Sequence, residues 1–226
     1  MVDIAVIFAV YRFIPQIEGF DTYTCVLIYS MYGIVTSVFY TLFPWTLWFS
    51  RSYIIEGNLV TLLAKPASPL MLLIAKDSSA EEFIYLAVRV AVYIFAVVKL
   101  KFGFPIILAL SAGMIPGILT IVGIFLLVAC VSARYPGAEE AFSPVTSLSD
   151  FARYPTSIYP KALRVILNWI VPYSLIAFVP VSMILGIDLR GLSYRLWWLP
   201  LYGIGIFILS YILFKITIRR YEASGT

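Results

Sequence analysis

The sequence contains no histidine. Histidine is the commonest general base near neutral pH and a frequent metal ligand, so HExxH metalloproteases are excluded and no metal site is expected. The chain also lacks a GxxxxGK[ST] phosphate loop, which excludes ATP binding by that device. No acidic residue lies inside a long apolar run, whereas proton-coupled carriers usually keep an ionisable group at membrane depth. An active site of the chain's own is therefore not expected.

Charge is scarce throughout the chain. Charged residues make up 12% and hydrophobic residues 62% of the 226 positions, whereas an average soluble domain carries about 25% charged residues. A soluble fold cannot bury that much apolar surface, so we expect lipid to be the solvent. The net charge of +4 is too small to indicate nucleic-acid binding. Cys25 and Cys130 lie within apolar runs and are interpreted as small hydrophobic residues.

Long runs without charge predict membrane-spanning helices, which need about 20 mostly apolar residues. Helices are expected because lipid offers no hydrogen-bond partner to a bare backbone amide. A shorter run contains Arg89. It becomes long enough to span the membrane if its flanking lysines extend their ammonium groups to the membrane surface. The predicted fold class is all-α, a single polytopic membrane domain over 1–226 with five to six transmembrane helices. The runs are 22–50, 83–98, 102–133, 165–187 and 196–214.

The start of the chain gives a weaker signal. Residues 2–14 are apolar but contain Asp3 and Arg12, and they are too few to span a membrane. They predict either an interfacial helix or the remnant of a truncated first spanning helix. A signal peptide is not indicated, because the basic leader and small-residue cleavage site are missing.

The distribution of basic residues predicts the orientation. Ten lysines and arginines fall in 50–82, 132–164 and the C-terminal tail, and four fall in the connections on the opposite side. By the positive-inside rule the first group and the C-terminus are cytoplasmic. The tryptophans agree with interfacial positions at both membrane surfaces: Trp45, Trp48, Trp197 and Trp198.

The predicted cytoplasmic stretch 50–82 contains a short amphipathic helix. Apolar residues at i, i+4, i+7 and i+8 share one helix face. Gly57 is expected to separate this helix from the membrane segment, and Pro66 to end it. The periodicity alone fits either a helix floating among lipid headgroups or one that contacts a partner. The apolar positions are Ile55, Leu59, Leu62 and Leu63.

This stretch resembles the coupling region of type-2 ATP-binding-cassette (ABC) exporter permeases, in particular the small six-helix bacterial and archaeal subfamily. The subfamily motif is close to I-x-x-G-x-L-D-x-x-L-x-x-P. Asn58 and Val60 depart from it, because the family tends to carry acids there, so a fixed ion pair with the ATPase is in doubt. The matching positions are Ile54, Gly57, Leu59, Leu63, Lys65 and Pro66.

Two further stretches resemble the same family. Residues 17–21 are similar to its I-x-G-W-[ST] outer turn, with Phe20 in place of tryptophan. Residues 153–186 are similar to its Y-P-L-x-I-Y … L-R-x-I-L … P-A-x-x-L-L-G pattern, and the three matches occur in order over about 17–226. The family usually has a longer first helix, so this chain resembles one that starts inside it. The matches in the third stretch are Tyr154, Pro155, Ile158, Tyr159, Leu163, Arg164, Ile166, Leu167, Pro172, Pro180, Leu185 and Gly186.

The resemblance implies a permease subunit without an ATPase site, located in the plasma membrane of a prokaryote. Its expected partners are ABC ATPase subunits, which bind ATP and Mg²⁺, and a second copy or a sister permease. The substrate is not indicated. The implied coupling helix contains Ile55, Gly57, Leu59, Leu62, Leu63, Lys65 and Pro66.

The resemblance also offers a second topology. Residues 132–164 are either a polar cytoplasmic connector or contain a marginal fifth helix at 139–158. In the latter case 165–187 forms a re-entrant hairpin in the outer leaflet, which Pro172 and Pro180 suit because proline leaves backbone carbonyls unpaired. The inner count of basic residues then falls to seven and the outer count rises to six. The charge rule slightly favours the first topology.

Two features inside the membrane segments carry hypotheses. Arg89 either snorkels to the inner surface or faces the bundle or a dimer interface and attracts an anionic group of the substrate. The spacing of Gly113 and Gly117 is GxxxG, which permits close helix approach and predicts packing within the bundle.

Two other classes of protein remain open from the residues alone. A self-contained channel or secondary transporter would need polar groups along a path at depth, and these are scarce apart from Arg89. A non-transporting membrane scaffold is compatible with the composition, and only the order of the motifs argues against it.

Overall fold

The computed structural model describes residues 2–13, 16–17, 19–79, 81–135, 137–187 and 199–220. The described chain is helical apart from one two-stranded hairpin, which confirms the all-α fold class. The longer helices are α1 (Val2–Phe13), α2 (Thr22–Leu42), α5 (Glu82–Lys99), α6 (Phe104–Arg134) and α11 (Leu199–Arg219).

A tight hairpin precedes α2. Strand β1 (Gln16–Ile17) pairs with β2 (Phe20–Asp21), and Gly19 takes the positive φ of +85° that the turn requires. Asp21 then caps α2, its carboxylate accepting a hydrogen bond from the Thr24 backbone N–H at 2.9 Å. The 17–21 stretch thus fixes where the first long membrane helix begins.

The middle of the chain contains the short elements. A 3-10 helix (Pro44–Trp48) and a π-helix (Phe49–Ile55) prolong α2, followed by α3 (Asn58–Leu63) and α4 (Pro69–Asp77). After α6 come α7 (Ala138–Ala141), α8 (Ser143–Ser147) and 3-10 helices at Leu148–Arg153 and Thr156–Ile158. The last group is α9 (Lys161–Val165), a π-helix (Ile166–Ile170), a 3-10 helix (Tyr173–Ile176) and α10 (Phe178–Leu185).

Helix α6 is central: it packs against α11, against α2 and against the 173–185 stretch, while α5 packs on α2. Small residues permit the closest crossings, because an added Cβ on Gly123 would lie 2.9 Å from Ile206 and one on Gly203 would lie 2.8 Å from the Pro116 carbonyl oxygen. Phe39 and Phe125 join α2 to α6 with ring centroids 4.5 Å apart.

Three helices in the described part are long and apolar enough to cross a membrane, at Thr22–Leu42, Phe104–Arg134 and Pro200–Arg219. They correspond to three of the predicted runs. Helix α5 is shorter, with 18 residues, and carries Glu82, Arg89 and Lys99. The run at 165–187 is broken, so it does not form the single continuous helix that its lack of charge predicts. Trp197 and Trp198 lie outside the described residues.

Residues 148–153 lie beside the middle of α2, where the Tyr32 hydroxyl donates to Asp150 at 2.9 Å. Tyr32 is ten residues from either end of α2, hence about 15 Å at 1.5 Å per residue. The contact agrees with the second topology, in which 139–158 forms a fifth helix, whereas the charge count favours the first. The topology stays a prediction.

Candidate functional site

The candidate coupling region begins where the winding of α2 changes. At Glu56 the last wide turn closes, its backbone N–H donating to the Arg51 carbonyl at 3.1 Å. Gly57 then adopts φ +73°, ψ +9°, and α3 starts at the next residue. The Asn58 amide nitrogen donates to the Ser52 carbonyl at 2.8 Å, which holds the start of α3 against the preceding helix.

The apolar face predicted for this region divides into two parts. Leu59 and Leu62 are buried, whereas Ile55 is 63% and Leu63 38% exposed. The prediction of one common face fails for Ile55, because the left-handed backbone of Gly57 ends the first helix and sets a new axis for α3. Leu63 lies one turn after Leu59 in α3 and is partly exposed at the end of that helix.

The exposed side of α3 combines apolar and polar groups. Val60 is 45% exposed and stands next to the exposed Thr61. Lys65 and Pro66 are also exposed, in the turn that follows the end of α3 at Leu63. We use the name "outer face of α3" for five exposed residues in and next to this helix. Val60 and Leu63 lie within it, Ile55 precedes it, and Lys65 and Pro66 follow it.

A polar anchor ties the π-helix to α4. Tyr53 is 1% exposed, and its hydroxyl donates to the Asp77 carboxylate at 2.5 Å. The Lys76 ammonium lies 5.0 Å from the Tyr53 ring centroid. Burial, followed by the hydrogen bond to Asp77, raises the pKa of Tyr53 above its ordinary value. The phenol therefore remains a neutral donor throughout the physiological range.

An aromatic cluster ties the same region to α11. Trp45, Phe49 and Phe214 are fully buried, and each pair of ring centroids lies within 5.7 Å. Phe49 also stacks on Tyr53, at 5.6 Å. Tyr53 and Phe49 thus connect the π-helix that precedes α3 to α4 and to α11.

Arg89 faces α2. Its Nη1 donates to the Gly33 carbonyl at 2.9 Å and to the Ser37 hydroxyl, and lies 3.9 Å from the Glu82 carboxylate. Gly33 is required for this contact, because an added Cβ would meet the Arg89 Cδ at 2.9 Å. The guanidinium is thus held between α2 and α5 by groups of the chain itself, and its side chain remains 32% exposed.

Pro172 and Pro180 occupy different positions in the broken stretch. The helical path from Lys161 to Ile170 ends at Val171 and Pro172, both outside helical backbone angles. Pro180 lies in the first turn of α10, where a missing N–H costs no helical hydrogen bond. It packs against Gly113 of α6, where an added Cβ would lie 2.8 Å from the Pro180 Cβ. The change of direction therefore falls at Pro172. Helix α10 begins at Phe178, whose ring packs against Phe20 of the hairpin with centroids 5.6 Å apart.

Sequence reasoning missed the group formed by Tyr32, Asp150 and Arg153. The Asp150 carboxylate accepts from Tyr32 at 2.9 Å and from the Arg153 guanidinium at 2.7 Å. The only signal was the marginal fifth helix at 139–158, which contains both Asp150 and Arg153. Nothing local could pair it with Tyr32, which is more than a hundred positions away in the chain.

A sequence model of the family described as "ABC-2 family transporter protein" matches residues 1–225. The chain belongs to the ABC-2 transporter family. No curated protein and no solved structure matches it. Membership confirms the resemblance drawn from the three motifs and identifies a multi-pass transmembrane protein of the ABC permease type. Permeases of the ABC-2 family are in general non-catalytic membrane subunits that work with an ATP-binding subunit.

Proposed function

We propose that this ABC-2 chain is the transmembrane subunit of an ATP-driven exporter, and that the outer face of α3 is where a separate ATPase subunit docks. The observation that carries the proposal is the division of α3: Leu59 and Leu62 fix it to the bundle, while Val60 and Leu63 leave apolar surface outside. A helix that merely floated among headgroups would need no buried anchor on the protein side.

The proposed mechanism uses two sets of contacts described above, the hydrogen bond between Tyr53 and Asp77 and the aromatic cluster that packs on α11. The ATPase subunits bind ATP and Mg²⁺ and close, which pushes on α3. The Tyr53–Asp77 anchor and the Trp45–Phe49–Phe214 cluster carry the push to α4 and α11. The bundle then moves between inward- and outward-facing states as packed bodies. Two copies, or this chain and a sister permease, enclose the path.

The orientation follows from the same proposal. The coupling region and the C-terminus lie in the cytoplasm of a prokaryotic cell, where ATP is available. Lys65 on the outer face of α3 offers a positive group to the ATPase, whereas Asn58 is a neutral amide that donates to the Ser52 carbonyl and forms no ion pair.

Co-purification tests the docking site. The permease is expressed with the ATPase encoded beside it and purified in mild detergent. Val60→Asp and Leu63→Asp are expected to reduce recovery of the ATPase at least tenfold, because a charge is desolvated in an apolar contact. Val60→Leu, which keeps the apolar surface, should retain the complex.

A complex that survives both aspartate variants would contradict docking at the outer face of α3. Absence of any ATPase in the wild-type preparation would instead favour a self-contained transporter. Leu59→Asp is a poor probe, because it places a charge in the buried anchor and disturbs the fold itself.

A further inference from the structure

Asp150 places a carboxylate beside the middle of α2, one of the helices long and apolar enough to cross a membrane. Its side chain is 60% exposed, and its partner Tyr32 lies midway along α2. An ionised carboxylate is not stable against lipid tails, so such groups face a water-filled cavity or another polar surface. Arg153 compensates the charge at 2.7 Å and is less exposed, at 28%. The charge that remains accessible is therefore the negative one.

Three segments converge on this carboxylate. Residues 148–153 pack against α2 and against the 3-10 helix Tyr173–Ile176, which also contacts α2. Aromatic side chains surround the position, and the Arg153 guanidinium lies 5.7 Å from the Tyr32 ring centroid. This shows that a flat cation fits against the face of the Tyr32 ring.

A second observation indicates hydration of the same place. Tyr173 is fully buried, and its hydroxyl has no hydrogen-bond partner within the described residues. The 3-10 helix that carries Tyr173 packs against α2 and against 148–153. A buried hydroxyl is normally satisfied, by water if not by protein.

We propose that Tyr32, Asp150 and Tyr173 form a substrate subsite that binds the cationic group of an amphipathic organic cation. The carboxylate supplies the charge, the Tyr32 ring supplies the cation–π contact that Arg153 now makes, and Arg153 holds the carboxylate in place until a ligand competes for it. The proposal rests on the exporter function proposed above and names the class of its substrate.

The test uses the purified full chain in a nonionic detergent and tetraphenylphosphonium as the probe. Equilibrium dialysis measures binding, with partition into protein-free micelles subtracted. Saturable binding to the wild type is expected. Asp150→Asn should weaken it at least tenfold, because the charge is lost. Glu140→Gln, which removes one exposed acid from α7, should leave it unchanged.

Arg153→Gln separates a binding role from a structural one. If the guanidinium competes with the ligand for Asp150, this variant should bind the probe several-fold more tightly. If the pair only supports the fold, both variants should bind more weakly and unfold at lower temperature. Three results would overturn the proposal. They are weaker binding with a lower unfolding temperature in both variants, wild-type affinity in Asp150→Asn, and absence of saturable binding to the wild type. Since no ATPase is present, none of these results bears on docking at α3.

Discussion

At the scale of single residues, glycines set how closely the membrane segments approach. The α6 residue Gly117 lies against the backbone of Ile176, and the α2 residue Gly33 lies against the side chain of Arg89. The two contacts differ in kind, because a backbone in a packed core cannot yield whereas a long side chain can change rotamer. The same substitution is therefore expected to have different effects.

Gly117→Ala should destabilise the protein by about 2–3 kcal/mol, because the new Cβ would lie 2.8 Å from the Ile176 Cα. Gly33→Ala should cost about 1 kcal/mol or more, as Arg89 shifts and loses its bond to the Gly33 carbonyl. Thermal unfolding in detergent measures both.

Gly205→Ala is the matched control, since nothing lies within 4 Å of its added Cβ. It should leave stability unchanged or raise it by up to about 1 kcal/mol through helix propensity. If Gly117→Ala unfolded at the wild-type temperature, the close contact between α6 and the 173–176 turn would be disproved.

Tyr53 makes the folding stability of the protein depend on pH in the alkaline range. Its folded pKa is raised from 10.0 by burial and by Asp77, so the folded state holds a proton that the unfolded state releases first. The corresponding stability is complete below pH 10 and is lost as pH rises toward the folded pKa.

Tyr53→Phe should lower stability by about 1–2 kcal/mol at neutral pH, because Asp77 loses its donor. It should also reduce the fall in stability above pH 10, compared with wild type. Tyr135→Phe, at an exposed tyrosine, is the control for general alkaline effects. Identical pH profiles for wild type and Tyr53→Phe would contradict the anchor.

At the scale of elements, the position of α3 depends on the backbone of one residue. Gly57 has φ +73° and no atom within 4 Å of an added Cβ. A substitution there acts through conformation alone, without a steric contact. Gly57→Val should shift the equilibrium away from the observed turn by about 1–2 kcal/mol and weaken ATPase co-purification.

Gly57→Asn should be milder, because asparagine adopts the left-handed conformation more readily than valine. Both Gly57 variants leave the residues of the outer face of α3 unchanged, so a difference between them reports on the turn alone. Equal recovery of the ATPase with both variants would mean that this turn does not determine how α3 is presented.

The helices and their breaks differ in how far the sequence determines them. Charge-free runs predicted α2, α6 and α11, because burial in lipid is a property of each segment by itself. The GxxxG spacing likewise placed Gly113 and Gly117 at a close contact. Gly57 and Pro66 indicated the limits of α3, since backbone preference is local.

The remaining features depend on contacts between distant parts of the chain. Ile55 and Leu63 are exposed because of the direction that α3 takes as it packs against the π-helix and α4. The hydrophobic periodicity of the sequence does not specify that direction. The break at Pro172, and the absence of one at Pro180, follow from packing against α6. The Tyr32–Asp150 contact joins two segments that are 118 positions apart and differ in polarity, so no local pattern could predict it.

At the scale of the whole molecule, the position of 148–153 beside α2 predicts which loops each side of the membrane exposes. In a background without Cys25 and Cys130, single cysteines are labelled with a membrane-impermeant maleimide in intact cells. Lys99→Cys should react from outside, and Ser68→Cys only after the membrane is opened.

Lys161→Cys distinguishes the two topologies. It is exposed at the start of α9, and the hairpin arrangement places it outside, so it should react in intact cells. Labelling of Lys161→Cys only in opened cells would restore 132–164 as a cytoplasmic connector and would remove Asp150 from the membrane interior.

The stretch from Pro44 to Ile55 contains a tight 3-10 segment and a wide π segment in succession. Their turns hold different numbers of residues, so exchanging one winding for another rotates everything beyond it about the helix axis. In the mechanism proposed above, this junction would act as a swivel: a sideways push on α3 would reach α2 as torque and would reorient the side chains of α2 while the helix keeps its place in the membrane.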